Sequence, residues 1–313
     1  MELRDIRYFA LVAEHQNIGH AAEALELSAT ALSKSLRRLE KYVGAKLVQR
    51  APKGVALTAV GAALLTRIGP LQGMLNDLRH EAADLAQGHA GHINAGANQA
   101  AAENVIADAC VALSRETSRV TLKVTVANFD FLRTALHKGE MDFCISRPGP
   151  FSPAEFTRER LYENQDIVFA SAHHRLAKRK QVSITDLVGE RWASITRTSD
   201  LQWQTLFRAF EKSGLPLPSV ALDTNSPVVR IQAIAYSDYL SLTSKQFLRQ
   251  EARKFPLVEL PVKEFTLAHT MSIIYRKGAY LSPAALRLIE ILKAQTKDVA
   301  DGTRGARGSK RAG

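Results

Sequence analysis

The sequence predicts a multidomain chain: a short all-α head, a long amphipathic helix and a larger α/β body. Residues up to Thr58 read as closely spaced helices, residues 59–88 form one sustained helical run, and beyond Gly88 strand-like and helix-like segments alternate. A chain of 313 residues is long enough for two or three cooperative units. With 46% hydrophobic and 23% charged residues, core formation is assured and long disorder is excluded except at the ends. The excess of 42 Lys and Arg over 31 Asp and Glu, a formal charge of +11, favours a polyanionic partner, because basic surface releases counterions when it meets phosphates.

In the head, Leu3, Ile6, Phe9, Ala10 and Ala13 mark the buried face of a first helix. A short Ala-rich helix follows from Ile18 and ends near Ser28, whose hydroxyl is placed to cap the next helix. In that third helix Leu32, Leu36, Leu39 and Val43 form one apolar stripe. Thr30, Lys34, Arg37 and Lys41 lie opposite, flanked by Ser33 and Arg38. Such a helix suits a DNA major groove: leucines hold it to the domain, cations meet phosphates, and short polar or forked side chains reach base edges. An ordinary solvated basic face has the same pattern. Over residues 1–60 nine cations face six acids, a net +3, so placement of the cations rather than net charge carries the DNA reading.

The neighbourhood decides between them. AAEAL, the turn at Leu27-Ser28, ALSKSLRRLE from Ala31 to Glu40, Val43-Gly44, Lys46 to Arg50 and Gly54 to Gly61 follow one another in the order found in LysR-type transcription regulators, which this chain resembles. The resemblance implies a winged helix-turn-helix over residues 1–58, with the motif itself at 18–37. It implies a recognition helix starting after Ser28 and a two-stranded wing near Lys46 to Leu57. Ser28, Ala29, Thr30, Ser33, Lys34, Arg37 and Arg38 are then the DNA-binding candidates, with Arg50 and Lys53 on phosphates. Where the family usually carries Gln-Pro this chain has Ala29-Thr30, so operator preference does not transfer.

In the middle run Leu64, Ile68, Leu71, Leu75, Leu78, Ala82 and Leu85 recur in steps of three and four, the seam of two helices packed side by side, which predicts dimerisation. A helix lying on its own domain is the alternative. Pro70 falls inside the run, where it removes a backbone hydrogen bond at a cost of about 3 kcal/mol.

The body should contain strands at 92–97, 121–127, 142–146, 167–170, 192–195, 221–224, 240–243 and 271–275, with helices between most of them. Residues 89–296 resemble the effector domain of the same regulators, a two-lobed α/β fold of the periplasmic-binding-protein type 2 kind. The resemblance rests on Gly139 to Ile145, on His173 to Ala177 after a strand, and on Ile273 to Arg276 before Leu281-Ser282-Pro283. It implies a first lobe of about 91–161 with 267–296, and a second of about 162–266. Ligands of such folds sit beyond the carboxyl ends of the strands. The candidates are therefore Asn98, Gln99, Asn128, Phe129, Arg147, Thr196, Arg197, Thr198, Ser199 and Asn225, with Ser226 beside the last. A small carboxylate or aromatic acid held by Arg147 or Arg197 is the expected effector.

Other chemistry is thinly represented. There is no GxSxG, HExxH or phosphate-cradling loop, so no catalytic residue, metal or cofactor is expected, and His173-His174 reads as a surface turn. Cys110 and Cys144 lack clustered partners and read as small hydrophobes. The charged start has no apolar core for export or membrane insertion, which implies a cytoplasmic, nucleoid-associated protein. The expected partners are double-stranded DNA, a small-molecule effector, a second copy as dimer or tetramer, and RNA polymerase, with no membrane. A solute-binding protein or an α/β enzyme with an appended helical domain is the alternative. The basic stretch 297–313 reads as a disordered tail.

Overall fold

The computed structural model describes residues 2–87, 91–147, 149, 151–195, 201–262, 264–265 and 267–300. The chain divides into two compact units, the first holding the residues up to Arg79 together with His137–Glu140.

The first unit begins with α1 (Leu3–His15), which buries Ile6, Phe9 and Val12 together with Asp5. The Asn17 side chain accepts from the Gly19 and His20 amides and starts α2 (Ile18–Ala24). Ser28 Oγ accepts from the Ala31 amide at 3.1 Å and starts α3 (Ala29–Val43), which ends at Gly44 in left-handed conformation. Leu32, Leu36 and Leu39 face inward, as the apolar stripe requires. The wing is the antiparallel pair β1 (Val48–Ala51) and β2 (Gly54–Leu57). Gly54 has φ 138°, and a Cβ there would lie 2.2 Å from the Gln16 carbonyl oxygen, to which the Val55 amide donates. Only glycine lets the wing seat against the end of α1.

The long helix α4 (Ala59–Gln87) runs through Pro70. The expected dimer seam divides along it. Leu64, Ile68 and Leu71 pack with Ile6, Phe9, Leu36, Leu39 and Leu47 in the core of their own unit, so these three are corrected from seam to core. Stripe periodicity records only that one face is apolar, and here the first half of that face is covered by the head's own helices. Leu75 is half-buried, whereas Leu78 and Leu85 stand 63% and 80% exposed.

The second unit carries β3 (His92–Ala97), then a continuous helix made of α5 (Gln99–Ala101), a π turn (Ala102–Ile106) and α6 (Ala107–Glu116). Next come β4 (Thr121–Val126), α7 (Phe129–His137), β5 (Phe143–Ser146) and the long β6 (Phe156–Ser171). A single 3-10 turn (Ile184–Leu187) precedes β7 (Arg191–Ser194), α8 (Leu201–Lys212), β8 (Ser219–Asp223), α9 (Pro227–Ala235) and β9 (Tyr239–Ser244). The unit closes with α10 (Lys245–Glu251), β10 (Leu257–Leu260), β11 (Leu267–Arg276) and α11 (Pro283–Ala300).

Strand order is β4-β3-β5-β11-β6-β9-β7-β8, with β10 also on β6. β3 runs parallel to β4 and β5, and β7 parallel to β8 and β9. Antiparallel β6 and β11 pair from Phe156↔Arg276 to Asp166↔Leu267 and pass from one lobe to the other. The first lobe packs α6 and α11 over Ile93, Phe143, Ile273 and Leu292, and the second packs Trp192, Trp203, Phe210 and Leu242.

Several expectations change. β6 begins eleven residues before the expected Ile167, because the consecutive charged residues Arg158, Glu159 and Arg160 in its first half break any apolar run that would mark a strand. α11 continues through Ala300, past the expected start of the tail at Lys297. The rest of that tail, 301–313, lies outside the described residues. His174 is no surface residue: it is 3% exposed, its Nδ1 accepts from the Leu176 amide, and Nε2 lies 3.3 Å from Glu190. Cys144 is buried and Cys110 half-buried, and burial pushes both thiols up. Among the described residues there is no metal-binding cluster, and no helix is long and apolar enough to cross a membrane.

Candidate functional site

Two sites emerge, one in each unit. In the first, Ser28, Ala29, Thr30, Lys34 and Arg37 are exposed along one side of α3, Ser33 is half-buried beside them, and Arg50 and Lys53 are exposed on the wing. Arg38 also bonds within the unit. Its guanidinium grips the fully buried Asp5 carboxylate, through Nε at 2.8 Å and through a second nitrogen, while Ser35 Oγ donates to the same carboxylate at 2.5 Å. The bonds from Arg38, more than any other influence, hold the Asp5 carboxyl well below the usual carboxylate range. Arg38 thus ties α1 to α3, with 41% of its side chain exposed on the flank of the basic face. Sequence spacing put it on the flank of the basic face but could not reveal an acid thirty-three positions away. Glu40, 8% exposed, joins α3 to the wing by accepting from the Leu47 amide and from Lys46 Nζ at 2.7 Å.

In the second unit a cleft of about 550 Å³ opens between the two lobes. Asn98, Gln99, Asn128, Phe129, Arg147 and Asn225 all line it, drawn together from the ends of β3, β4, β5 and β8. Thr196, Arg197, Thr198 and Ser199 lie outside the described residues. Asn98 Oδ1 accepts from the Ala101 amide and Asn128 Oδ1 from the Phe131 amide, so both side chains cap helices at the rim. Phe129 meets Phe151 edge to face, with ring centroids 4.7 Å apart.

The cleft also holds residues that inspection of strand ends missed. Glu103 lies on the π turn and accepts from Gln99 Nε2 at 2.9 Å, one helical turn away. Across the cleft Arg230, 5% exposed on α9, donates to Glu103 Oε1 at 3.3 Å and to the Leu242 carbonyl at 2.7 Å. Asn104 Nδ2 donates to Ser244 Oγ at 3.0 Å, a second bond from one lobe to the other. Arg147 is bonded to the fully buried Asp166, and its Nη2 lies 2.8 Å from His269 Nδ1. Asp166 also accepts from Gln202 Nε2 at 2.6 Å and Asn164 Nδ2 at 3.2 Å. An isolated Arg inside the otherwise apolar run PVVRIQAIA was the one available signal for Arg230. Asp166 and His269 belong to the crossing strands, and only the pairing of β6 with β11 brings them together.

A capped basic helix with a wing in one unit, and a two-lobed binding cleft in the other, define a class: a DNA-binding transcription regulator with an effector-binding domain. Residues 3–62 match the family described as bacterial regulatory helix-turn-helix protein, lysR family, and residues 86–297 match the LysR substrate binding domain, so the chain belongs to the LysR family of transcriptional regulators. It is 25% identical to the regulator GbpR of Azospirillum brasilense over 94% of this chain and 86% of that protein. To the RuBisCO operon transcriptional regulator of Allochromatium vinosum it is 27% identical, over 91% and 93%. Full-length CbnR complexed with its target DNA shares the fold with a TM-score of 0.57 at 18% identity, over 94% of this chain and 99% of that one.

Proposed function

We propose that α3 enters the major groove with Thr30, Ser33, Lys34 and Arg37 toward bases and phosphates, while Arg50 and Lys53 of the wing hold the backbone. The observation that carries this reading is the division of α3 into a leucine face buried in its own unit and an exposed cationic face on which Lys34 and Arg37 make no ion pair among the described residues. CbnR, which shares the fold, is described on its target DNA. Two copies join through the exposed Leu78 and Leu85 side of α4, as a dimer or a dimer of dimers, and RNA polymerase is the further partner at the promoter. This work is done in the cytoplasm, at the chromosome.

The interlobe cleft is the effector site in this reading. Arg147, one of the two cations expected to hold an acid, is already matched by Asp166, while Arg197 lies outside the described residues; the effector is taken as a small polar molecule. It regulates by binding one lobe arrangement more tightly than the other; equal affinity for both would shift nothing. Genome-wide footprinting with the purified chain tests the DNA reading. Discrete protected sites are expected, with retention weakened in Lys34→Ala and Arg37→Ala across a salt series. Unchanged retention by both variants would refute the docking.

A further inference from the structure

We infer that the effector carries no net charge and is recognised through hydroxyl groups, an inference that rests on the cleft being the effector site. Every charged side chain described at the cleft is matched inside the protein. Arg230 pairs with Glu103, the two side chains being 5% and 7% exposed, and Arg147, 14% exposed, pairs with Asp166, which is fully buried. His269 Nδ1 lies 2.8 Å from Arg147 and 3.5 Å from Asp166, so this ring too is engaged inside the protein.

An incoming carboxylate would therefore meet two cations already committed and two carboxylates, Glu103 and Asp166, already present. Claiming either arginine would take from a buried carboxylate the cation that balances its charge and leave it only neutral donors, an unfavourable exchange. An uncharged molecule leaves both pairs intact. The remaining lining suits hydroxyl groups: Asn98 and Asn128, whose oxygens cap helices, turn amide N–H groups to donate, and the Asn225 amide and the Ser146 hydroxyl can both donate and accept. Thr243, at the same cleft, has a buried hydroxyl with no hydrogen-bond partner. Phe129 and Val126 supply an apolar side for the ligand's C–H face.

The test is thermal unfolding and calorimetric titration of the full chain with matched pairs of probes: D-glucose with D-gluconate, D-galactose with D-galacturonate, and benzyl alcohol with benzoate. At least one neutral member should raise Tm by about 2–5 °C at roughly ten times its Kd, and should bind at least about tenfold more tightly than its acid. In Glu103→Gln, or in Asp166→Asn should the first not fold, the acid should gain at least about tenfold as one cation loses its match. An acid binding the unmodified chain more tightly than its neutral partner overturns the inference, as does a panel in which no neutral probe raises Tm. Asn128→Ala and Asn225→Ala separate the two ideas. An acid whose binding they abolish keeps the cleft as the site and removes the inference. A neutral probe that binds them unchanged removes the cleft as well.

Discussion

Replacing Arg38 by alanine should damage the fold of the head, whereas replacing its neighbours Lys34 or Arg37 should damage only DNA binding. Asp5 is fully buried and takes two of its bonds from the Arg38 guanidinium. Breaking a buried ion pair costs about 3–5 kcal/mol, and because the Arg38 side chain is 41% exposed, solvent screening places this one at the lower end, about 3 kcal/mol. Ser35 remains and limits the loss further. For a head of this size each kcal/mol moves Tm by about 4–8 °C, and Arg38→Ala should lower the head's transition by at least one such step. Lys34 and Arg37 are exposed, and their alanine variants should stay within about 0.5 kcal/mol of the parent while each flattens the salt dependence of DNA binding by about one unit of slope. Circular dichroism melts and fluorescence anisotropy on one DNA fragment read both quantities from the same preparations. If Arg38→Ala melts within about 2 °C of the parent while losing DNA affinity, the tie to Asp5 is not structural and the reasoning fails.

Further outcomes follow from the same structure. Because the Asp5 carboxyl is held below its unfolded value, its contribution to stability is fully present above about pH 4 and drains away as pH falls through the folded value; Asp5→Asn should abolish that acid dependence, as seen in urea melts between pH 2 and 6. Gly54→Ala forces a Cβ to 2.2 Å from a carbonyl oxygen at positive φ and should destabilise the head by at least about 2 kcal/mol, where Gly44→Ala, with open space around it, should cost less. Leu78→Glu with Leu85→Glu should weaken self-association in sedimentation velocity runs without lowering the head's Tm, whereas Ile68→Ala, in the core, should lower Tm by about 2–5 kcal/mol worth of stability. Cys144, buried with its thiol pushed up, should resist alkylation until the second unit unfolds, which mass spectrometry of iodoacetamide-treated protein reads directly.

Local patterns made the head legible. The stripe Leu32, Leu36, Leu39 and the cap at Ser28 are relations within one helix, and both appear as read. The same locality hid the tie from Arg38 to Asp5 and misassigned the first half of the α4 seam, since a stripe says that a face is apolar but not what covers it. In the body, strand ends located Asn98, Asn128, Arg147 and Asn225 because parallel strands deliver their following residues to one edge. Glu103, Asp166, Arg230 and His269 were hidden for the opposite reason: each lies inside a helix or strand, and its partner comes from a distant element. The charge balance of the cleft is a property of pairs, and pairs of that kind are not written along the chain.

The crossing strands carry a consequence for synthesis. Phe156 finds its sheet neighbour only at Arg276, and Ile93 in the first lobe packs in a cluster with Leu292 of the last helix. The first lobe is thus begun early on the ribosome and finished last, with the whole second lobe emerging in between. Such non-local closure folds slowly, and a nascent chain cut anywhere before β11 leaves the β5 edge and the apolar bed of α11 open to aggregation. A deletion series intended to isolate the ligand-binding half must therefore keep its carboxyl end, even when the segment of interest lies far upstream.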